Sequence, residues 1–129
     1  MSSRRGERSR TAGYPPERSR LRRRSDYRRC YESGRRRHGS YSTIYTVGND
    51  LQAPRLGITV TRKVGGAVVR NRVKRRLREI YRLWGDRSKL PPIDIVIHAK
   101  PSAAQASYSA LEHETERQLG ALIRPSGEE

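Results

Sequence analysis

Hydrophobic residues recur at helical spacing in two long segments of the chain. At about 100° per residue, one side of the segment from 65 to 85 is apolar and carries Val69, Val73, Leu77, Ile80, Tyr81 and Trp84. In the second segment, Ser107 is placed to cap a helix whose apolar stripe carries Tyr108, Leu111, Thr115, Leu119 and Leu122. We therefore predict two amphipathic helices that each bury one face.

Three shorter segments predict strands. Residues 41–47 are rich in β-branched and aromatic side chains, and residues 56–61 alternate between large apolar and small or hydroxyl side chains. Because a turn signal at 48–50 separates these two strands, we expect them to form an antiparallel hairpin. Residues 93–99 (IDIVIHA) form the third predicted strand.

A short first helix is predicted over residues 26–32. Ser25 is a candidate N-cap, and Gly34 is a candidate terminating residue. At helical spacing, one face of this helix carries Tyr27, Cys30 and Tyr31. The predicted order is α-β-β-α-β-α, which indicates an α+β fold.

The charge of the chain is strongly positive. The 129 residues include 29 Lys and Arg against 13 Asp and Glu, a net charge of +16 that is concentrated in residues 1–38 and 62–82. We expect residues 1–20 to be a disordered basic arm, 21–124 a single domain and 125–129 a tail. Cys30 is the only cysteine and indicates a reducing cytoplasm. No apolar run is long enough for a membrane span.

The predicted long helix carries positive charge on its second face. That face presents Asn71, Lys74, Arg75, Arg78 and Arg82, and the Arg-Asn-Arg run at 70–72 lies close behind Arg62 and Lys63. Guanidinium groups bind phosphate bidentately, and the amide hydrogens of a glycine-led helix start also attract anions. A nucleic acid is the favoured partner, and an anionic membrane surface is the weaker alternative.

Tyr27, Tyr31 and Tyr45 lie in or near basic segments. Aromatic rings in such surroundings stack on the bases of single-stranded RNA, but they also pack in ordinary cores, and the sequence leaves both interpretations open.

The sequence shows no catalytic apparatus of its own. Residues 112–116 (EHETE) lack a second histidine at ligand spacing and are expected to be a solvated helix face. The aspartates at 26, 50, 86 and 94 occupy separate elements, so no acidic cluster for metal-dependent nuclease chemistry is apparent. Cys30, on an apolar face, is expected to be a buried structural residue.

Residues 55–75 (RLGITVTRKVGGAVVRNRVKR) resemble the protein subunit of bacterial ribonuclease P, and the resemblance extends from about residue 20 to residue 123. Supporting matches are Arg20-Leu21, Asp26-Tyr27, Tyr31 and Ala99-Lys100-Pro101. The resemblance implies three helices packed on a central sheet with a left-handed βαβ crossover, as in ribosomal protein S5 domain 2-like folds. It also implies an accessory subunit of an endoribonuclease that removes the 5′ leader of precursor tRNA.

In this family the catalyst is an RNA subunit that uses bound Mg²⁺. The resemblance therefore implies no catalytic residue and no metal on the protein alone, and one protein for each RNA. By position, the leader would bind in a central cleft lined by Tyr27, Tyr31 and Tyr45, the first two of which replace the usual Phe. The catalytic RNA would contact Arg62, Lys63, Arg70, Asn71, Arg72, Lys74, Arg75 and Arg78.

Two other functions remain open from the sequence. A ribosomal or general RNA-binding protein would have the same charge but would need no groove for a leader. A protein-only metallonuclease would need carboxylates that cluster in the folded chain.

Overall fold

The computed structural model describes residues 19–123 and contains a four-stranded sheet with helices on both faces. The helices are α1 (Arg24–Ser33), α2 (Ala67–Leu83) and α3 (Tyr108–Gly120). The strands are β1 (Arg35–His38), β2 (Ser42–Gly48), β3 (Arg55–Thr59) and β4 (Ile93–Ala99). The α+β class and all three helices are confirmed. The basic arm and the C-terminal tail expected from the sequence lie outside the described residues, apart from positions 19 and 20.

The expected hairpin between residues 41–47 and 56–61, which correspond to β2 and β3, is wrong. In the sheet order β1-β2-β4-β3, β4 lies between β2 and β3, antiparallel to the former and parallel to the latter. The physical reason is that β4 is apolar on both faces, with Ile95, Val96 and Ile97 fully buried, so it is stable only at the centre of a sheet. The chain from β3 through α2 to β4 is consequently a βαβ unit.

Strand β1 was not predicted. Its sequence, Arg-Arg-Arg-His, has no apolar residue and all four residues are exposed, so hydrophobic periodicity carries no signal. It forms the sheet edge opposite β3 and pairs antiparallel with β2. Charged residues on an edge strand are a common protection against pairing with other chains.

The main core lies between the sheet and helices α2 and α3. The predicted stripe of α2 is confirmed: Val73, Leu77, Ile80 and Tyr81 are buried there, and Trp84 extends the stripe just past the helix end. Buried residues of the two central strands, such as Ile44, complete this core. The predicted cap of α3 is also confirmed, since the Ser107 hydroxyl accepts a hydrogen bond from the backbone N–H of Ala110 at 3.0 Å.

Helix α1 covers the other face of the sheet, which we call the α1 face. A small core of Leu21, Cys30 and Val96 lies beneath it. The predicted Ser25 cap is wrong, because the helix begins at Arg24, two residues earlier than predicted, and Arg23 is its N-cap without a side-chain hydrogen bond. Gly34 does follow the helix, with φ −84°. Only glycine fits at position 34, since a Cβ there would clash with the backbone carbonyl oxygens of Cys30 and Thr46.

Among the described residues, none of the helices combines the length and the apolar character needed to cross a bilayer.

Candidate nucleic-acid interface

Tyr27, Tyr31 and Tyr45, hereafter the tyrosine cluster, come together on the α1 face. Helical spacing directs the first two from α1 toward the sheet, and β2 supplies the third. The rings of Tyr31 and Tyr45 meet edge to face with centroids 4.7 Å apart. All three rings are only partly buried against the small core, so part of each aromatic surface stays accessible.

Tyr27 lies directly over β3 because position 57 is glycine. A Cβ on Gly57 would lie 2.7–2.8 Å from atoms of the Tyr27 ring. Burial raises the pKa of the Tyr27 hydroxyl, while a hydrogen bond with the backbone of Ile58 and the charges of Arg78 and Arg20 oppose that rise. The influence of Arg78 shows that the basic side of α2 is electrostatically close to the tyrosine cluster.

His98 adds a fourth ring that the sequence analysis did not single out. The Tyr31 hydroxyl lies 2.9 Å from His98 Nδ1, and the two ring centroids are 5.7 Å apart. Burial lowers the pKa of His98, and the positive charge of Lys63 lowers it further. The sequence does contain a signal for this position. Because side chains alternate along a strand, His98 of β4 must lie on the opposite face from Ile95 and Ile97.

A buried carboxylate fixes α1 to the sheet beside this cluster. Asp94 on β4 is fully buried and accepts hydrogen bonds from Arg29 of α1, Arg55 of β3 and Asn49, at 2.7–2.9 Å. Burial alone would raise the pKa of Asp94, but these hydrogen bonds and the two cations lower it below its usual value. The same Arg55 guanidinium lies 3.5 Å from Asp26.

The two aspartates beside the tyrosine cluster do not form a metal-binding acidic cluster. The fold does bring Asp26 and Asp94 together, but both carboxylates are neutralised by arginine. Within residues 19–123, no group of three or more His, Cys, Asp or Glu side chains is arranged to hold a metal ion.

Helix α2 carries the basic residues predicted to bind RNA. It begins after Gly66, which makes no side-chain cap, so its first amide hydrogens remain available for an anion. Arg62 and Lys63 lie in the exposed turn between β3 and α2. The most exposed polar residues of the helix are Asn71, Arg75 and Arg78, whereas Arg70, Arg72 and Lys74 are partly buried.

Two arginines of α2 also have structural contacts. Arg72 donates to the carbonyl oxygen of Ala104 at 2.7 Å, and Arg76 donates to that of Ala106 at 3.3 Å. These bonds hold the segment that follows β4 against the helix. The Nε atoms of Arg70 and Arg72 are buried and have no hydrogen-bond partner among the described residues.

The expected solvated face at residues 112–116 is partly wrong. Glu114 is only 4% exposed, and its carboxylate accepts hydrogen bonds from the backbone N–H groups of Ser40, Tyr41 and Ser42 at 2.7–3.2 Å. It fixes the β1–β2 turn to α3, while its neighbour His113 is exposed.

Cys30 is a buried structural residue, as predicted. Its side chain is fully buried, and burial followed by the nearby Asp94 charge raises the pKa of the thiol to about 11. The thiol is therefore protonated at neutral pH and unreactive.

Comparison with known proteins supports one family throughout. The family model described as Ribonuclease P matches residues 16–122. The ribonuclease P protein component of Syntrophus aciditrophicus is 44% identical over 104 residues, which cover 81% of this chain and 83% of that protein. The protein component of Acidothermus cellulolyticus is 44% identical over 113 residues, covering 84% and 92% respectively.

Solved structures agree with the sequence matches. The RNase P protein of Staphylococcus aureus has a TM-score of 0.73 at 27% identity, covering 82% of this chain and 98% of that one. The RNase P protein of Thermotoga maritima has a TM-score of 0.67 at 29% identity, covering 83% and 97%. Since the family model spans most of the chain and the fold is shared, this chain belongs to the ribonuclease P protein family, whose members are subunits of the endoribonuclease that matures the 5′ ends of tRNA.

Proposed function

We propose that the tyrosine cluster is the part of this subunit that binds the 5′ leader of precursor tRNA. The observation that carries the proposal is the partly exposed group of rings from α1 and β2, with the Tyr31 and Tyr45 centroids 4.7 Å apart. Single-stranded bases stack on such rings for about 1–3 kcal/mol each, without requiring a defined sequence. That tolerance suits a leader, because leaders differ from one precursor to another.

We propose a second surface, along α2 and the turn before it, for the catalytic RNA. Structured RNA presents phosphates that match guanidinium groups, and the amide of Asn71 can pair with a base edge or a ribose. Asn71, Arg75 and Arg78 are the most exposed polar side chains of α2, so they are the best placed to reach an external RNA. The full set is Arg62, Lys63, Arg70, Asn71, Arg72, Lys74, Arg75 and Arg78.

We infer that the two surfaces act together. Arg78 of α2 influences the tyrosine cluster through Tyr27, and Lys63 influences it through His98. A leader on the rings would therefore lie beside the catalytic RNA on α2. The protein would strengthen substrate binding by adding leader contacts to those that the RNA makes.

Mg²⁺ bound in the assembled enzyme would supply an activated water for phosphodiester hydrolysis. The described carboxylates that come together are paired with arginines, so they do not fit such an ion, and we propose that the RNA subunit holds it. We further propose one protein for each RNA and a cytoplasmic location, where the single cysteine stays reduced.

A binding experiment tests the leader proposal. Holoenzymes are assembled with the wild-type protein or with Tyr45→Ala, and the Kd is measured for precursor tRNA and for mature tRNA. We expect the variant to weaken precursor binding about tenfold, in line with the loss of one stacked base, and to leave mature tRNA binding unchanged. Equal affinities of the two holoenzymes for the precursor would contradict the proposal.

A further inference from the structure

The edge strand β1, at the sheet edge opposite β3, carries three consecutive arginines. Arg35, Arg36 and Arg37 are all exposed, and β1 pairs only with β2. None of the three side chains forms a hydrogen bond or ion pair with another described residue. Three adjacent like charges that have no partner among the described residues repel one another, and an external anion would relieve that repulsion.

The register of β1 places these arginines on two different faces of the sheet. Arg36 pairs directly with Tyr45, and residues opposed in an antiparallel ladder project from the same face. Arg37 pairs with Ile44, which is buried in the core under α2 and α3. By alternation Arg35 shares the face of Arg37. Only Arg36 therefore lies on the α1 face beside the tyrosine cluster.

Arg36 lies next to the tyrosine cluster, on the strand that neighbours Tyr45. Neighbouring strands are about 4.8 Å apart, so its backbone lies one such step beyond Tyr45. His38 lies on the same face and contacts the Thr43 hydroxyl through Nδ1 at 3.2 Å. Lys63 follows β3 at the opposite sheet edge, and its positive charge acts on His98. Cations therefore lie at both ends of the aromatic surface, in the pattern that suits a strand with stacked bases and outward phosphates.

We propose that Arg36 binds a phosphate of the precursor leader, beyond the nucleotides that stack on the tyrosine cluster. The inference rests on the proposed leader function of that cluster and extends its footprint across β1. A guanidinium can form two parallel hydrogen bonds to one phosphate, which favours arginine at the end of a stacking surface. The contact requires a leader long enough to reach past Tyr45.

A series of precursors with leaders lengthened one nucleotide at a time tests the proposal in the assembled holoenzyme. With the wild-type protein, precursor affinity should rise in steps and then level off. Arg36→Ala should remove only the last step, an affinity loss of roughly threefold to tenfold. It should also reduce the slope of log K against log salt by about 0.7, the value for one phosphate contact on a single strand. Arg36→Lys keeps the charge and should retain most of the affinity.

The chain offers matched controls on the same strand. Arg35→Ala and Arg37→Ala remove the same charge from positions that are also exposed, but on the other face, and should leave the whole leader series unchanged. An equal loss in all three variants at every leader length would show general electrostatic attraction and overturn the proposal. A loss with Arg36→Ala that persists for mature tRNA would show contact with the catalytic RNA, and would overturn it as well.

The same series of leader lengths distinguishes a failure of the proposed Arg36 contact from a failure of leader binding by the tyrosine cluster. If Tyr45→Ala loses affinity for leaders of all but the shortest lengths while Arg36→Ala matches the wild type, the cluster binds leader and the extension across β1 is wrong. If the affinity loss of neither variant depends on leader length, the tyrosine cluster does not bind the leader. The proposed contact of Arg36 with the leader is then wrong as well.

Discussion

The hydroxyl group of Tyr31 on α1 lies 2.9 Å from Nδ1 of His98 on β4 and 2.9 Å from Oγ1 of Thr59 on β3. A phenol has one proton, so it donates to one of these neighbours and accepts from the other. The contact joins α1 to the two strands that form the parallel pair of the sheet. It fixes the ring that lies at the centre of the tyrosine cluster, between Tyr45 and His98.

Two substitutions of Tyr31 test whether its ring or its hydroxyl group binds RNA. Tyr31→Ala should weaken precursor binding by about tenfold or more, because a stacking surface is lost. Tyr31→Phe keeps the ring, so its precursor affinity should stay within about threefold of the wild type, while the free energy of unfolding falls by roughly 1 kcal/mol. Equal losses of affinity in the two variants would contradict a stacking function.

The buried Asp94 should be among the most sensitive positions for stability. Asp94→Asn removes the negative charge between Arg29 and Arg55, and because both arginines stay partly exposed to water, we expect a loss of about 1.5–3 kcal/mol from the weakened charged hydrogen bonds. Asp86→Asn is the control, because the Asp86 and Lys89 side chains are more than half exposed and such pairs contribute about 0–1 kcal/mol. Urea unfolding of the purified proteins measures both. Similar midpoints for the two variants would show that the Asp94 network contributes little.

Gly57 should be required for the position of Tyr27. In Gly57→Ala the new methyl group would lie 2.7–2.8 Å from the ring, so Tyr27 must move away from β3. We expect the Gly57→Ala holoenzyme to lose more affinity for precursor tRNA than for mature tRNA, relative to the wild type. Gly85→Ala is the control, because a Cβ there meets no atom within 4 Å, and it should behave as wild type. Normal precursor affinity in Gly57→Ala would show that the Tyr27 position is unimportant.

Stability should fall in mild acid because of His98. Its pKa is lower in the folded state than the ordinary value of 6.5, so the unfolded chain binds the proton first as pH falls. The free energy of unfolding should therefore decrease as pH drops below 6.5 toward the folded-state pKa, and should be unaffected by this group above 6.5. His98→Gln should flatten that part of the profile. An unchanged pH profile in His98→Gln would assign the acid sensitivity to other groups.

The helices and their buried faces could be predicted because each follows from local periodicity. The stripe of α2 from Val73 to Tyr81 and the Ser107 cap of α3 are visible in the sequence alone. Strand order could not be predicted in the same way. A turn signal at 48–50 favours a hairpin locally, whereas the burial of both faces of β4 decides the sheet globally.

The candidate site was predictable only as a list of residue types. Arginines and tyrosines on predicted faces indicated RNA, but contacts between distant segments determine the geometry. Asp94 meets Arg29 across 65 positions, and Glu114 meets Ser40 across 74. No local pattern encodes such pairs, so a buried carboxylate like Glu114 was mistaken for a solvated one.

Cleavage of precursor tRNA at low Mg²⁺ tests whether this chain acts as the accessory subunit of ribonuclease P. A bacterial ribonuclease P RNA alone, this protein alone and the two together are each incubated with precursor tRNA, and the products are mapped. We expect cleavage at the leader junction only in the mixture, with no product from the protein alone. Cleavage by the protein without RNA, or no stimulation of an RNA that the protein still binds, would contradict it.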